Sequence, residues 1–174
     1  MGRQAGGVKA MDLEDRDEIV GFISIPMRPD PEQPDDPNIR QTIDPSLMLL
    51  TITENGYGKR THVDEYRVQP EHGKPRSQSR GGKGRVDIDT TERNGRSVAA
   101  LGVRDEHDIM VGTKDGQLVR IPSNTIRLTG RGTQGVRIVR LNPGDKVTAA
   151  AAVEGDRSED PAAPPAPADP PPAE

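Results

Sequence analysis

The sequence has no cysteine and no tryptophan, and its only aromatic residues are Phe22, Tyr57 and Tyr66 among 174 positions. Without cysteine there can be no disulfide and no thiolate metal site, a composition that fits a cytosolic protein. Three rings are too few for a platform on which single-stranded nucleic acid could stack. No apolar run approaches the roughly 18 residues of a membrane helix. Met1 leads straight into a glycine loop, with no signal-peptide pattern. Helical periodicity is also lacking, so no recognition helix is expected in a major groove. The three histidines, His62, His72 and His107, stand apart and show no metal-ligand spacing. His107 sits in Asp105-Glu106-His107-Asp108, which reads as a hairpin tip. The acids form no paired-carboxylate constellation, and no nucleophile motif appears. No catalytic residue, metal ligand or cofactor site is therefore assigned to this chain.

Charge is distributed unevenly. The formal net charge is −4. Residues 154–174, EGDRSEDPAAPPAPADPPPAE, hold six acids and one arginine, a balance of −5, which leaves residues 1–153 at +1. Residues 76–140 hold thirteen Lys/Arg and seven Asp/Glu, a balance of +6. The segment 154–174 has only alanine to offer a core and reads as a disordered acidic Pro/Ala-rich tail. A basic body with an acidic end points to a polyanionic partner. A solvated basic surface with a solubilising tail is the plain alternative.

The body, 1–153, is repetitive. Gly2–Ile25, Ser79–Val103 and Gly130–Val153 each open with a glycine-rich loop, and each has an arginine followed four residues later by glycine: Arg3 and Gly7, Arg80 and Gly84, Arg131 and Gly135. The loops are offset by 77 and then by 51 positions. Alternating strands are expected over Val8–Leu13, Ile19–Ile25, Val136–Leu141 and Lys146–Val153. Between loops lie hairpins with Asn55-Gly56 and Asp115-Gly116 at their turns, the strongest short-range hairpin signal. Thr53, Gly56 and Arg60 match Thr113, Gly116 and Arg120 at an offset of 60. The first copy thus carries a 17-residue insertion before its hairpin and a 9-residue insertion after it, over Val68–Ser77. The first insertion is the proline-rich loop 26–46, where Pro26, Pro29, Pro31, Pro34, Pro37 and Pro45 leave no room for a strand. Two hairpins per unit make a four-stranded antiparallel blade. The expected class is all-β, with propeller-like blades in an incomplete set, because a closed propeller needs about four or more.

Glycines that admit positive φ can present backbone N–H groups to an anion, and the loops add cations. Arg3, Lys9, Arg80, Lys83, Arg85, Arg131 and Arg137 are candidate phosphate contacts in or beside the loops. Lys59, Arg60 and Arg120 are candidates in the hairpins, expected to face outward between apolar neighbours. The competing role for the loops is a blade-to-blade connection in which glycine only permits the bend. The second loop does not make a nucleotide P-loop, since Ser77 and Gly84 stand where that pattern needs glycine and Ser/Thr.

The motifs NGYGKR (Asn55–Arg60), TERNG (Thr91–Gly95) and GRGTQGVRIVRL (Gly130–Leu141), in this order, resemble the C-terminal domain of the DNA gyrase A subunit. The resemblance covers Gly2 to about Val153. It implies a β-pinwheel, usually of six blades, whose basic rim wraps double-stranded DNA without sequence readout. In the family this supports ATP-dependent negative supercoiling by an A2B2 complex, which joins the rest of the A subunit to the gyrase B subunit. ATP and Mg act there on other domains, in the bacterial cytoplasm and not at a membrane. An enzyme name of the isomerase class would describe the parent topoisomerase. The family's catalytic tyrosine has no match here, and Tyr57 and Tyr66 read as packing residues. QSRGGKG (Gln78–Gly84) is similar to the family's basic box but has Ser79 in place of arginine. By motif order the first three blades are missing, so the chain reads as a fragment. The related A subunit of topoisomerase IV, a protein-interaction propeller and a remnant unable to close its ring remain the alternatives.

Overall fold

A computed structural model describes residues 6–28, 42–69 and 76–155. The expected tail over 154–174 and the candidate Arg3 lie almost entirely or entirely outside those residues, as does most of the proline-rich loop.

The first hairpin is built from β3 (Met48–Thr53) and β4 (Tyr57–His62), after the short β1 (Met27–Arg28) and β2 (Thr42–Ile43). β5 (Ser97–Val103), β6 (His107–Thr113), β7 (Leu118–Pro122), β8 (Val136–Arg137) and β9 (Val147–Glu154) follow. Two sheets result, one ordered β5-β3-β4-β8 and one ordered β7-β6-β9, with every pairing antiparallel. β1 and β2 pair as a separate ribbon at the base of the proline-rich insertion. That ribbon corrects the expectation of a strand-free loop: Met27, Arg28, Thr42 and Ile43 are the non-proline residues at its two ends and keep their N–H donors.

β3 carries Met48, Leu50 and Ile52 on one face, where they enter the core. Its other face, with Thr51 and Thr53, is also buried. From the second sheet Ile109 and Val111 of β6 and Val147 of β9 join the same core, so the two sheets bury their apolar faces against one another. Ile126 and Val139, from the stretches after β7 and β8, complete it.

The two sheets repeat one plan. In the first, the β3–β5 register shifts between Ile52 and Thr53; in the second, the β6–β9 register shifts between Gly112 and Thr113. The irregularity recurs at the offset of 60, as a bulge built into a repeat does. β5 and β9 are equivalent inner-edge strands and pack side by side. Residues 19–25 occupy the preceding place: a β-carbon on Gly21 would lie 2.9 Å from the Ala100 carbonyl oxygen, and Ile23 packs over Gly102. Small residues recur in this layer because successive copies converge there.

The expected strands Val8–Leu13 and Ile19–Ile25 do not form. The first makes only an isolated bridge, Met11 to Gly82. A strand needs a laddered partner, and among the described residues no hairpin stands beside either segment; Val8, Ile19, Val20 and Phe22 are exposed accordingly. The strand expected over Val136–Leu141 shortens to Val136–Arg137, beyond which Ile138 and Val139 turn their N–H groups onto the single Gly56 carbonyl.

Candidate nucleic-acid interface

The second and third glycine loops have one backbone design. Gly81 and Gly84 have φ of 75° and 82°; Gly132 and Gly135 have 69° and 74°. Positive φ turns each loop back toward the preceding copy, and the same two hydrogen bonds close it. Gly81 N donates to Ala10 O at 2.9 Å, and Asp12 N donates to Gly82 O at 2.9 Å. One repeat later Gly132 N donates to Asp87 O at 2.6 Å, and Asp89 N to Thr133 O at 3.0 Å. The loops are therefore blade-to-blade connections, and their side chains are what remains available for a ligand.

Most candidate cations are on the outside. Arg80 is exposed and has no ion-pair partner among the described residues. Lys9 pairs with Asp12, and Lys83 with Glu14 at 2.6 Å; both lysines remain mostly exposed. Exposed pairs of this kind contribute little and exchange readily for another anion. Arg85 donates to the Arg67 carbonyl. Arg131 donates to the Val86 carbonyl at 3.0 Å and lies 5.9 Å from the centre of the Tyr66 ring. Arg137 donates to the Tyr57 hydroxyl at 2.8 Å, and Arg120 to Asp108 at 2.6 Å. A cleft between the two loops brings Arg85 and Arg131 together with Asp64 and Glu65, so its lining is of mixed charge.

Lys59 and Arg60 correct the expectation of outward-facing cations. Lys59 is 0% exposed; its ammonium donates to the Asp87 carbonyl at 2.8 Å and the Gly130 carbonyl at 2.9 Å, with the Asp87 carboxylate at 3.3 Å. It thus joins the second and third loops from within. Asp87 also accepts from Thr51 and Tyr66. Burial, followed by that bond to a carboxylate, pushes the Tyr66 phenol well above its ordinary value. Arg60 is 6% exposed and donates to the Ile126 and Asn124 carbonyls and to Asp105. Both cations are covered by chain that arrives about 70 residues later, which no local pattern foretells.

Arg93 is not among the sequence candidates, although it lies in the TERNG motif. Its guanidinium stands 4.8 Å from the centre of the Tyr57 ring, and that of Arg137 5.3 Å. Burial alone would raise the Tyr57 phenol, but the hydrogen bond from Arg137 and the charge of Arg93 outweigh it and hold the group below its ordinary value. Arg76, Arg127 and Arg140 add further exposed cations. Among the described residues no cluster of His, Asp and Glu could hold a metal ion, and no helix is long and apolar enough to cross a membrane. The arrangement offers N–H donors and positive charge.

A family model described as "DNA gyrase C-terminal domain, beta-propeller" matches residues 1–26, 47–75 and 107–154. The DNA gyrase A subunit of Staphylococcus aureus (strain MRSA252) is 36% identical over 160 residues, which cover 92% of this chain and 15% of that protein. The DNA gyrase A subunit of Fibrobacter succinogenes is 35% identical over 153 residues, 88% of this chain and 14% of that protein. The chain thus spans about 15% of the length of the curated relatives it matches. Among solved structures, a DNA gyrase A C-terminal domain superposes with a TM-score of 0.52 at 22% identity, over 60% of this chain and 33% of that one. The C-terminal domain of DNA topoisomerase IV superposes with a TM-score of 0.54 at 17% identity, over 66% and 33%. Both share the fold.

Proposed function

The chain belongs to the family of DNA gyrase C-terminal β-propeller domains, and from that premise we propose that it binds and wraps duplex DNA without reading its sequence. One observation carries this reading. Successive glycine loops, closed by the same pair of backbone hydrogen bonds, present their cations outward one repeat apart. A repeated row of exposed Arg and Lys suits the repeated phosphates of a backbone. In this role the chain serves as the C-terminal part of the gyrase A subunit, in an A2B2 complex with the gyrase B subunit, in the bacterial cytoplasm at the nucleoid. It supplies no chemistry: ATP and Mg act on other domains, and the rim supports negative supercoiling by holding DNA. Topoisomerase IV has likeness of fold alone behind it.

The test is equilibrium binding of duplex DNA across a salt series, on two unrelated sequences. Log affinity is expected to fall with log salt at a slope of about −4 or steeper, at about 0.9 per neutralised phosphate, and equally on both. A folded chain that does not bind, or one that prefers either sequence by more than about tenfold, contradicts the reading.

A further inference from the structure

Three motifs far apart in the chain meet at one corner of the first sheet. The Asn55 amide donates to the carbonyls of Glu92 and Arg93, both at 3.1 Å. Asn94, fully buried, accepts the Thr91 N–H at 2.7 Å and donates to the carbonyls of Asp89 at 2.8 Å and Gln134 at 3.0 Å. Gly56 O receives the N–H groups of Ile138 and Val139, and Tyr57 pairs with Arg137 across the β4–β8 ladder. These bonds fix both backbones, one carrying Arg93 and the other Arg137, against the nearly buried ring of Tyr57. Both arginines are exposed.

Each guanidinium is attracted by the ring, while the two like charges repel one another. An anion between them removes that repulsion, and a phosphate offers oxygens that two planar N–H forks can both engage. The corner lies on β8, the edge of the sheet opposite β5, and so away from the inner layer where copies converge. Its counterpart in the second sheet has no such pair. Gln117 stands in place of Tyr57, Gly144 in place of Arg93, and β7 has no strand in the place of β8 among the described residues.

We propose that Arg93 and Arg137, held on the ring of Tyr57, clamp a single backbone phosphate of duplex DNA. This rests on the proposed DNA-binding function and assigns one phosphate to one place on the rim.

The experiment uses the whole chain and a duplex of about 40 base pairs, long enough to cover several phosphate contacts. The native protein, R93Q/R137Q, Y57F and the control K114Q, an exposed cation on the turn of the other hairpin, are compared across a salt series. Thermal melts confirm that each is folded. R93Q/R137Q is expected to lower the salt slope by about 0.9 and to weaken binding about tenfold or more at physiological salt. Y57F keeps the ring and loses one hydrogen bond, and is expected to weaken binding about threefold. K114Q is expected to match the native chain. A native slope in folded R93Q/R137Q overturns the clamp and leaves the DNA-binding reading standing. A native chain that does not bind at any salt overturns that reading and the clamp with it.

Discussion

The two sheets carry the same plan and differ in what covers them. In the first, the β3–β4 hairpin is flanked by β5 on one side and β8 on the other, and the third glycine loop lies over its turn. In the second, the β6–β7 hairpin has β9 on one side, and β7 is an edge strand among the described residues. Matched positions then part ways. Lys59 is sealed in, while Val119 is half-buried; Arg60 is buried, while Arg120 is exposed; Gly58 is buried, while Leu118 is 67% exposed. The role of a repeat residue is thus decided by whether a later copy of the glycine loop arrives to cover it. Covered cations hold the fold, and uncovered ones remain for a ligand.

The largest test of that contrast is Lys59. Lys59→Ala strips two carbonyls and the Asp87 carboxylate of their shared donor and is expected to cost about 3–5 kcal/mol in chemical denaturation. Val119→Ala, its counterpart, should cost about 1 kcal/mol. Equal costs would break the comparison. The turn glycines come next. Gly56 and Gly116 have φ of 79° and 83°, so alanine at either meets left-handed strain of about 1–2 kcal/mol. A β-carbon at Gly56 would also lie 2.5 Å from the Val139 carbonyl oxygen, whereas at Gly116 it meets open space. Gly56→Ala is therefore expected to cost at least about 2 kcal/mol more than Gly116→Ala.

Arginine gives a smaller contrast. Arg60→Gln loses bonds to the Ile126 and Asn124 carbonyls and to Asp105, for about 2 kcal/mol or more. Arg120→Gln gives up one exposed pair with Asp108, for less than about 0.5 kcal/mol. The last difference is in pH. Asn94 anchors the turn of the first sheet, and Asp145 anchors the matching turn of the second, accepting the N–H groups of Asp115 at 3.0 Å and Lys146 at 2.8 Å. Burial alone would raise the Asp145 carboxyl, but bonds from Thr113 and from the backbone N–H groups hold it below its ordinary value of 3.8. A depressed carboxyl stabilises the fold above that value, and the contribution is lost as pH falls through the folded pKa. The amide signals of Asp115 and Lys146 in nuclear magnetic resonance should then titrate with a midpoint below 3.8, while that of Asn55, which donates to the Asn94 carbonyl, should stay flat.

The hairpins and the glycine loops are legible in the sequence because their signals are local. Asn-Gly and Asp-Gly between apolar runs specify a turn, and recurring glycines specify a repeat, whatever surrounds them. The missing ladders at Val8–Leu13 and Ile19–Ile25 are not legible, because alternation describes a strand's faces and is silent on its partner. The burial of Lys59 and Arg60 is hidden for a related reason: their acceptors, Gly130 O and Ile126 O, lie 71 and 66 residues away. Arg93 escapes a sequence reading because its motif marks a resemblance and carries no sign that its side chain reaches the ring of Tyr57, 36 positions earlier.

The central claim is that uncovered cations meet DNA while covered ones hold the fold. Lysine acetylation, read by mass spectrometry with and without saturating duplex DNA, tests it in one experiment. Lys83, which is 71% exposed at its side chain, should react freely alone and be protected by DNA, while Lys59, at 1%, should stay unmodified in both states. Lys83 acetylated to the same extent with DNA bound, or Lys59 reacting in the folded chain, would contradict it.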